Sequence, residues 1–460
     1  MRRTRSISLM TALAVAAILS AWPNRHAAAQ LLEPARSVSV AAFGAGGDGA
    51  GDDTAAFRQA VAALPAAGGL VNVPAGSYVL TGTVELPNFV RIQGEGAAWE
   101  GSVTKVLVRH KSGPAFRLSS YCGLKGLAIL YPDNLNTRKP ERYPAAIELL
   151  GSNVGIESIV FDGAWMGISS APGGSNTGQS LFRDITGFVH HMGFHLSGGA
   201  DVSRFEDIHW FVSRVAPAGT EPEYFNANRV GFEFGRQDGV IMTNCFMIGG
   251  KAFLRQLPFE DRADGQKKWT ISLGYHISNC WVEAVQEGFV FEGHCSIALS
   301  STNILVTKGG VGVRVAADCL GYNAYISGIT VRGFGEPFRG IEYGIKHDIW
   351  QPDLRNNLTI SDCHVVGGAP AIRLLRGATR ANIRGCLLRG AEGWPAILVE
   401  PGVESYLVTS NTLSGTPPIR DNAGPKCRKV VSGNLIETLP AAPKAASPAK
   451  PRSGKRPKGK

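Results

Sequence analysis

A short unit recurs at least twelve times between residues 126 and 436, as one small or polar residue followed by an apolar run. The first position is filled by Gly126, Ser158, Asp184, Asp207, Asn244, Asn279, Asn303, Gly328, Asp362, Gly385, Asn411 and Asn434. The steps between copies are 32, 26, 23, 37, 35, 24, 25, 34, 23, 26 and 23 residues. Seven of the eleven fall between 23 and 26, so the long steps are one repeat with extra chain inserted. Self-similarity at this period predicts a solenoid, in which each coil needs its neighbours to bury its apolar face. That argues against dividing the 460 residues into several globular units.

The ends read differently. Arg2, Arg3 and Arg5 precede an apolar stretch from Ile7 to Ala21, and Ala27-Ala28-Ala29 offers a cleavage site. Residues 1–29 are therefore expected to be a secretory signal peptide. The apolar stretch falls short of the ~20 residues a membrane span needs. Residues 440–460 carry five Lys, two Arg and no acid, and read as a disordered Pro/Lys tail. That tail is suited to touching an anionic envelope or polysaccharide, and equally to aiding solubility. The net charge of +10 comes from these ends: +4 from residues 1–30 and +7 from the tail leave −1 for 31–439. A near-neutral body has no nucleic-acid footprint.

Residues 37–100 form an opening module with its own pattern. Val38–Val40 reads as a strand, and Asp52-Asp53-Thr54 as the N-cap and acidic first turn of a helix. Phe57, Ala60, Val61 and Leu64 give that helix one apolar face, which suits it to plugging the open end of a solenoid. Short strands follow at Leu70–Val73, Tyr78–Leu80, Val84–Leu86 and Val90–Ile92.

The run FGAGGDGAGDDTAAFRQAVAALPAAGGLVNVPAGSYVLTGTVELPNFVRIQGEG, residues 43–96, resembles the opening of the pectate lyase superfamily, in its rhamnogalacturonase- and epimerase-like branch. The resemblance rests on Phe43-Gly44-Ala45, Gly47-Asp48-Gly49, Asp52-Asp53-Thr54, Gly68-Gly69, Pro74-x-Gly76-x-Tyr78 and Gly94-Glu95-Gly96. It implies an all-β fold, a right-handed parallel β-helix of about twelve rungs over residues 101–439 with an N-terminal capping helix. It also implies action on a polysaccharide by β-elimination, hydrolysis or epimerisation, and the signal-peptide pattern predicts a secreted or periplasmic protein. The polygalacturonase motifs and the Trp-Ile-Asp-His signature of calcium-dependent pectate lyases are absent from the rungs. No family's catalytic residues carry over, so the alternative of a non-catalytic carbohydrate-binding or cell-envelope protein stays open.

If the residue after each polar position points inward, the next points out, and strands of successive coils lie ~4.8 Å apart. The outward set then includes Asp162, His209, Trp281, Glu283, Arg332, His364 and Arg389. Four insertions, Tyr131–Tyr143, Ala216–Arg229, Arg255–Trp269 and Glu336–Arg355, are expected on one edge of the column strand, walling a groove beside it. A hydrolase needs two carboxyl groups ~5–9.5 Å apart, and a lyase needs a base and a cation beside a uronate carboxyl. Asp184, Asp207, His209 and Glu283 are the candidate reactive cluster. Trp281, Tyr143, Arg142 and Trp269 are the candidate substrate contacts. His190, His191 and Lys251 are further groups available to a lyase. Asp184 and Asp207 have a rival reading as rungs of an internal Asn/Asp ladder. No metal site or cofactor is expected, except Ca²⁺ if the reaction is an elimination. The oligomeric alternatives are a monomer or a β-helix trimer.

Cys245, Cys280, Cys363 and Cys386 occupy one column, as buried small residues or as neighbours able to bridge. Cys295 and Cys319 occupy matching places nine and ten residues before their next column residue.

Overall fold

The computed structural model describes residues 37–437 except 136–138, 172–175, 213–222, 262–266, 270, 318–322, 335–336 and 346–356. The expected signal peptide, the basic tail, Cys319 and the 346–355 part of the last insertion lie outside these residues.

The chain winds as a right-handed parallel β-helix whose coils present three faces. On sheet A, strand segments 204–206, 239–243, 274–278, 296–300, 323–327 and 357–361 pair in parallel, coil upon coil. Sheet B stacks 209–210, 246–248, 281–283, 303–307, 330–334 and 364–366. Sheet C stacks 230–234, 252–256, 287–291, 311–315, 339–345 and 372–374. In two coils the strands Gly155–Ser170 and Leu181–Leu196 run unbroken from sheet A to sheet C.

Each sheet contributes one continuous inward stack. Phe205, Met242, Ile277, Leu299, Ile326 and Ile360 line up from sheet A; Trp210, Met247, Val282, Ile304, Val331 and Val365 from sheet B; Phe232, Leu254, Phe289, Val313, Ile341 and Ile372 from sheet C. All are buried to within 2%. Aromatic rings fill the widest coils, with Phe182–Phe205 at 5.0 Å, Phe205–Phe234 at 5.1 Å and Phe194–Phe232 at 5.2 Å between centroids. Trp210 fits only because Gly193 lies against it: a Cβ at that glycine would stand 2.5 Å from the indole.

The repeating polar position is the corner between sheets A and B. There the backbone turns through the left-handed region, at Gly126, Ser158, Asp184, Asp207, Asn244, Asn279, Gly328, Asp362 and Gly385. In three coils the turn residue is not the one the repeat suggested. Ser301, Ser410 and Gly433 have φ of 48°, 57° and 65°, whereas Asn303, Asn411 and Asn434 do not take that conformation. Asn411 and Asn434 instead stand in the inward column with Cys363 and Cys386, and they form a short internal ladder. Asn411 Nδ2 donates to Asn434 Oδ1 and to the Ile383 carbonyl, each at 3.0 Å, and Asn411 Oδ1 accepts from the Cys386 N–H at 2.9 Å. Asp184 and Asp207 are exposed, so the ladder does not include them. The column thiols are free and buried, and the Cys363 Sγ donates to the Ser361 carbonyl at 3.2 Å.

The opening module holds its helix at Thr54–Ala62, with Phe57, Ala60 and Val61 buried and Phe57 edge-on to Tyr78 at 5.7 Å. Contrary to the expectation from sequence, Asp53 stands at the N-cap position but makes no side-chain capping hydrogen bond. The Asp52 carboxylate accepts from the Thr54 N–H at 3.0 Å, while buried Asp53 accepts from the N–H groups of Gly46 at 2.7 Å and Val79 at 3.0 Å. Asp53→Ala would strand two backbone donors and should cost about 2–4 kcal/mol in urea unfolding; a loss under 1 kcal/mol, roughly that of an ordinary surface change, would contradict this role.

Candidate functional site

The four insertions do not share one edge. Residues 131–144 and 211–229 connect sheet B to sheet C, whereas 257–270 connects sheet C to sheet A, and the 346–356 stretch follows the sheet C strand Arg339–Ile345. By chain order the insertions enter or leave sheet C at both of its edges, so the face they adjoin is sheet C rather than the column strand. Asn134 pins the first wall. Its Nδ2 donates to the Gly163 carbonyl at 3.0 Å, and its Oδ1 accepts from the Glu141 N–H at 2.9 Å. Tyr131 and Tyr143 pack edge to face beneath it at 5.0 Å. This cover also buries Asp162, which the alternation placed outward.

Along the outer surface of sheet C one residue per coil falls in register: Glu85, Arg117, Glu148, Ser169, His195, Glu233, Arg255, Val290, Arg314, Glu342 and Arg373. Most of these form a ladder of alternating charge. Arg117 bridges Glu85 (2.8 Å) and Glu148 (2.6 Å). Arg255 lies between Glu233 (3.7 Å), Glu287 (3.5 Å) and Glu292 (3.7 Å). Arg314 joins Glu287 (3.5 Å) to Glu342 (3.0 Å), and Arg373 joins Glu342 (3.6 Å) to Glu400 (2.6 Å). The alternation is interrupted at Ser169 and His195, and a second set of side chains gathers there.

That set is built around His191. Its ring stacks on Trp165 at 4.8 Å and 20°, and the Arg142 guanidinium lies 5.8 Å from the centroid of the same Trp165 ring. Burial holds the His191 imidazole below the ordinary histidine value; Glu233 opposes this, while Arg142, His195 and Lys251 reinforce it. Burial alone would raise the Glu233 carboxyl, but His195 Nδ1, 3.2 Å from Glu233 Oε1, and Arg255 together hold it low. His190, one residue away, is buried beneath the wall and donates Nε2–H to the Asn134 carbonyl at 2.7 Å. Burial also depresses its imidazole. Burial pushes Arg229 down to about 9; its Nη1 donates to the Phe211 carbonyl at 2.7 Å.

The arrangement can therefore offer an imidazole held uncharged at neutral pH on an aromatic platform that Arg142 also contacts. Its carboxylates are already tied to guanidinium groups. A divalent cation needs oxygen ligands not so neutralised, and Glu233, Glu287 and Glu292 all sit at Arg255, so this donor set does not fit Ca²⁺ and no step is routed through one.

The residues singled out from sequence fall in several places. Asp184 and Asp207 oppose one another on adjacent coils at the A–B corner, both exposed and both in the left-handed region. His209 is on sheet B, with its ring 6.0 Å from Phe211 and 5.8 Å from Phe246. Glu283 is on sheet B opposite Ile248 and Leu305. Asn279 occupies the corner two coils beyond Asp207, and Glu283 follows four residues later, so register sets Asp207 and Glu283 roughly 16 Å apart rather than 10. Trp281 is 54% exposed, opposite Phe246 and Asn303. Tyr143 is buried in the core, and Arg142 beside it is exposed and reaches Trp165. Trp269 pairs through its backbone with Phe259 in the hairpin Phe259–Asp261/Lys267–Trp269; its side chain is outside the described residues.

Trp165, His195, Glu233, Arg255 and Glu287 were not found from sequence. A signal existed: in five coils the sheet C position comes eleven residues after the left-handed turn, from Ser158 to Ser169, Asp184 to His195, Asn244 to Arg255, Asn279 to Val290 and Asp362 to Arg373. Elsewhere the insertions break that spacing.

Residues 37–106 match the family model described as rhamnogalacturonase A/epimerase, pectate lyase-like, which bears out the resemblance read from residues 43–96. No curated protein matches the sequence. Among solved structures, the chain is similar to the tailspike protein of E. coli bacteriophage HK620 in complex with a pentasaccharide, at 10% identity and TM-score 0.55, covering 87% of this chain and 78% of that one. It is similar to the N-terminal fragment of bacteriophage phi29 gene product 12, at 13% identity and TM-score 0.53, covering 87% and 72%. The A-module of Azotobacter vinelandii mannuronan C-5 epimerase AlgE4 aligns at 18% identity and TM-score 0.43, covering 88% and 100%. At these identities the likeness is one of fold. Among the described residues, no helix is long and apolar enough to cross a membrane.

Two outcomes follow. His190 and His191 bind protons more readily unfolded, near the ordinary value of about 6.5, than folded. Their contribution to stability is thus complete above that pH and declines as pH falls through it, which urea midpoints across pH 8 to 5 would show; a rising midpoint on acidification would contradict it. Asp207→Asn removes a charge but suits the left-handed turn, so it should leave stability within about 0.5 kcal/mol, as measured by urea unfolding; a loss above about 1 kcal/mol would contradict a turn role.

Proposed function

We propose that this chain is an exported polysaccharide-active protein that cleaves a uronate-containing polysaccharide by β-elimination in the groove over sheet C. The observation that carries this reading is the stacking of the partly buried His191 imidazole on Trp165, with Arg142 over the same indole and the positive charges of Arg142 and Lys251 helping burial to hold the imidazole pKa low. Elimination requires a base unprotonated at neutral pH and a cation for the negative charge that develops on the uronate carboxyl. In this scheme His191 removes the proton α to the carboxyl group, and Arg142 and Lys251 hold the carboxylate as its enolate forms. The electron pair from the broken C–H bond forms the new double bond, and the glycosidic oxygen departs, taking a proton from Lys251 or water. Trp165 supplies a flat face for a sugar ring.

Hydrolysis is less well served. It needs one carboxyl kept protonated by a raised pKa, and Glu233 is instead held below the ordinary range. The signal-peptide pattern of residues 1–29 and the carbohydrate bound by the phage tailspike of similar fold support export and a saccharide partner.

Incubation with polygalacturonate, alginate and neutral glucans tests the reading. Ultraviolet absorbance of an unsaturated uronide should grow with a polyuronate, and His191→Ala should lower kcat at least ~100-fold with the fold retained by circular dichroism. New reducing ends without that absorbance would identify a hydrolase, and binding without either product would identify a carbohydrate-binding protein; both outcomes overturn the elimination.

A further inference from the structure

Sheet B carries a feature that the groove does not use. Its first outward position repeats once per coil as His209, Phe246, Trp281, Asn303, Thr330 and His364, in continuous register. The first three are rings. His209 and Phe246 lie 5.8 Å apart, Phe211 stands 5.7 Å from Phe246, and Trp99 stacks on Phe211 at 5.5 Å. Trp281 extends the file with 54% of its surface open. A large exposed indole continuing a row of rings is unusual for a structural surface, since apolar patches of this kind mark sites of interaction.

We infer that this file is a second saccharide-binding surface, which anchors a polysaccharide chain running parallel to the helix axis; this rests on the proposed polysaccharide-acting role. Three observations choose the occupant. First, the rings repeat at the strand spacing of ~4.8 Å, comparable with one sugar residue of an extended chain, so successive sugars would meet successive coils. Second, the row passes from rings to Asn303, Thr330 and His364, with Glu283 and Arg332 beside it. Ring faces for C–H surfaces next to hydroxyl and amide partners suit a carbohydrate better than a dry protein interface. Third, the file is continuous with the groove. Phe211 belongs to the aromatic group, and the buried Arg229, immediately before the sheet C strand Val230–Phe234, donates to the Phe211 carbonyl. A polymer held on sheet B would thus be tethered beside the wall of the groove.

Native electrophoresis through gels containing polygalacturonate, alginate or dextran tests this, with wild type, Trp281→Ala and Trp281→Phe compared and their masses followed by light scattering. The exposed position of Trp281 makes both variants compatible with folding. Retardation of the wild type by one polymer, weakened about tenfold in apparent affinity by Trp281→Ala and largely kept by Trp281→Phe, is the expected result. Equal retardation of wild type and Trp281→Ala overturns the anchor and leaves the groove reading standing. A wild type that no polymer retards overturns the polysaccharide reading and the anchor with it. A wild-type oligomer that Trp281→Ala dissociates assigns the face to contact between copies and overturns the anchor.

Discussion

The whole molecule depends on one recurring backbone event, the left-handed turn between sheets A and B. Parallel pairing aligns each coil with the next only if every coil changes direction at the same place. A single residue with positive φ does this with the fewest atoms. Asn, Asp and Gly tolerate that conformation best, at a cost that other residues feel as about 1–2 kcal/mol. Once this corner is fixed, the inward stacks from Phe205 to Ile360 and from Trp210 to Val365 follow by alternation. Inserted chain must then go to the other two corners.

This explains how much was legible in the sequence. The turn residues and the apolar column that follows them keep a constant local spacing, so the solenoid could be read directly. The reading slipped at Asn303, Asn411 and Asn434 because an asparagine can either make the turn or hydrogen-bond inside the column. Asn411 and Asn434 do the latter, and Ser410 and Gly433 take the turn. Sheet C was hidden for a different reason. It follows the B–C corner, where insertions of unequal length destroy the period, and its outward residues are charged rather than apolar. The same feature misdirected the site. Asp184 and Asp207 stand out in a sequence because they recur, yet turn geometry accounts for the recurrence. Arg142 was legible as part of an insertion rich in charge, whereas its partner Trp165 lies in the middle of a long strand with nothing to mark it.

The charge ladder gives the groove its character. Carboxylates and guanidinium groups alternate from Glu85 to Glu400 in pairs, which orders the face without leaving uncompensated charge. Where Ser169 and His195 interrupt it, the surface instead presents a partly buried imidazole stacked on Trp165, with Arg142 over the same ring. A groove that is neutralised along its length, with the positive charge of Arg142 and Lys251 added at one point, would hold a long chain loosely and one acidic unit firmly. The aromatic file on sheet B fits the same logic, with affinity for the polymer placed away from the reactive group.

The most direct test is a crystal structure of the His191→Ala variant with a bound oligouronate. A saccharide over sheet C, with one ring on Trp165 and one carboxylate bound by Arg142 and Lys251, is the expected result. A ligand seated at the A–B corner on Asp184 and Asp207, with the groove over sheet C left open, would contradict it.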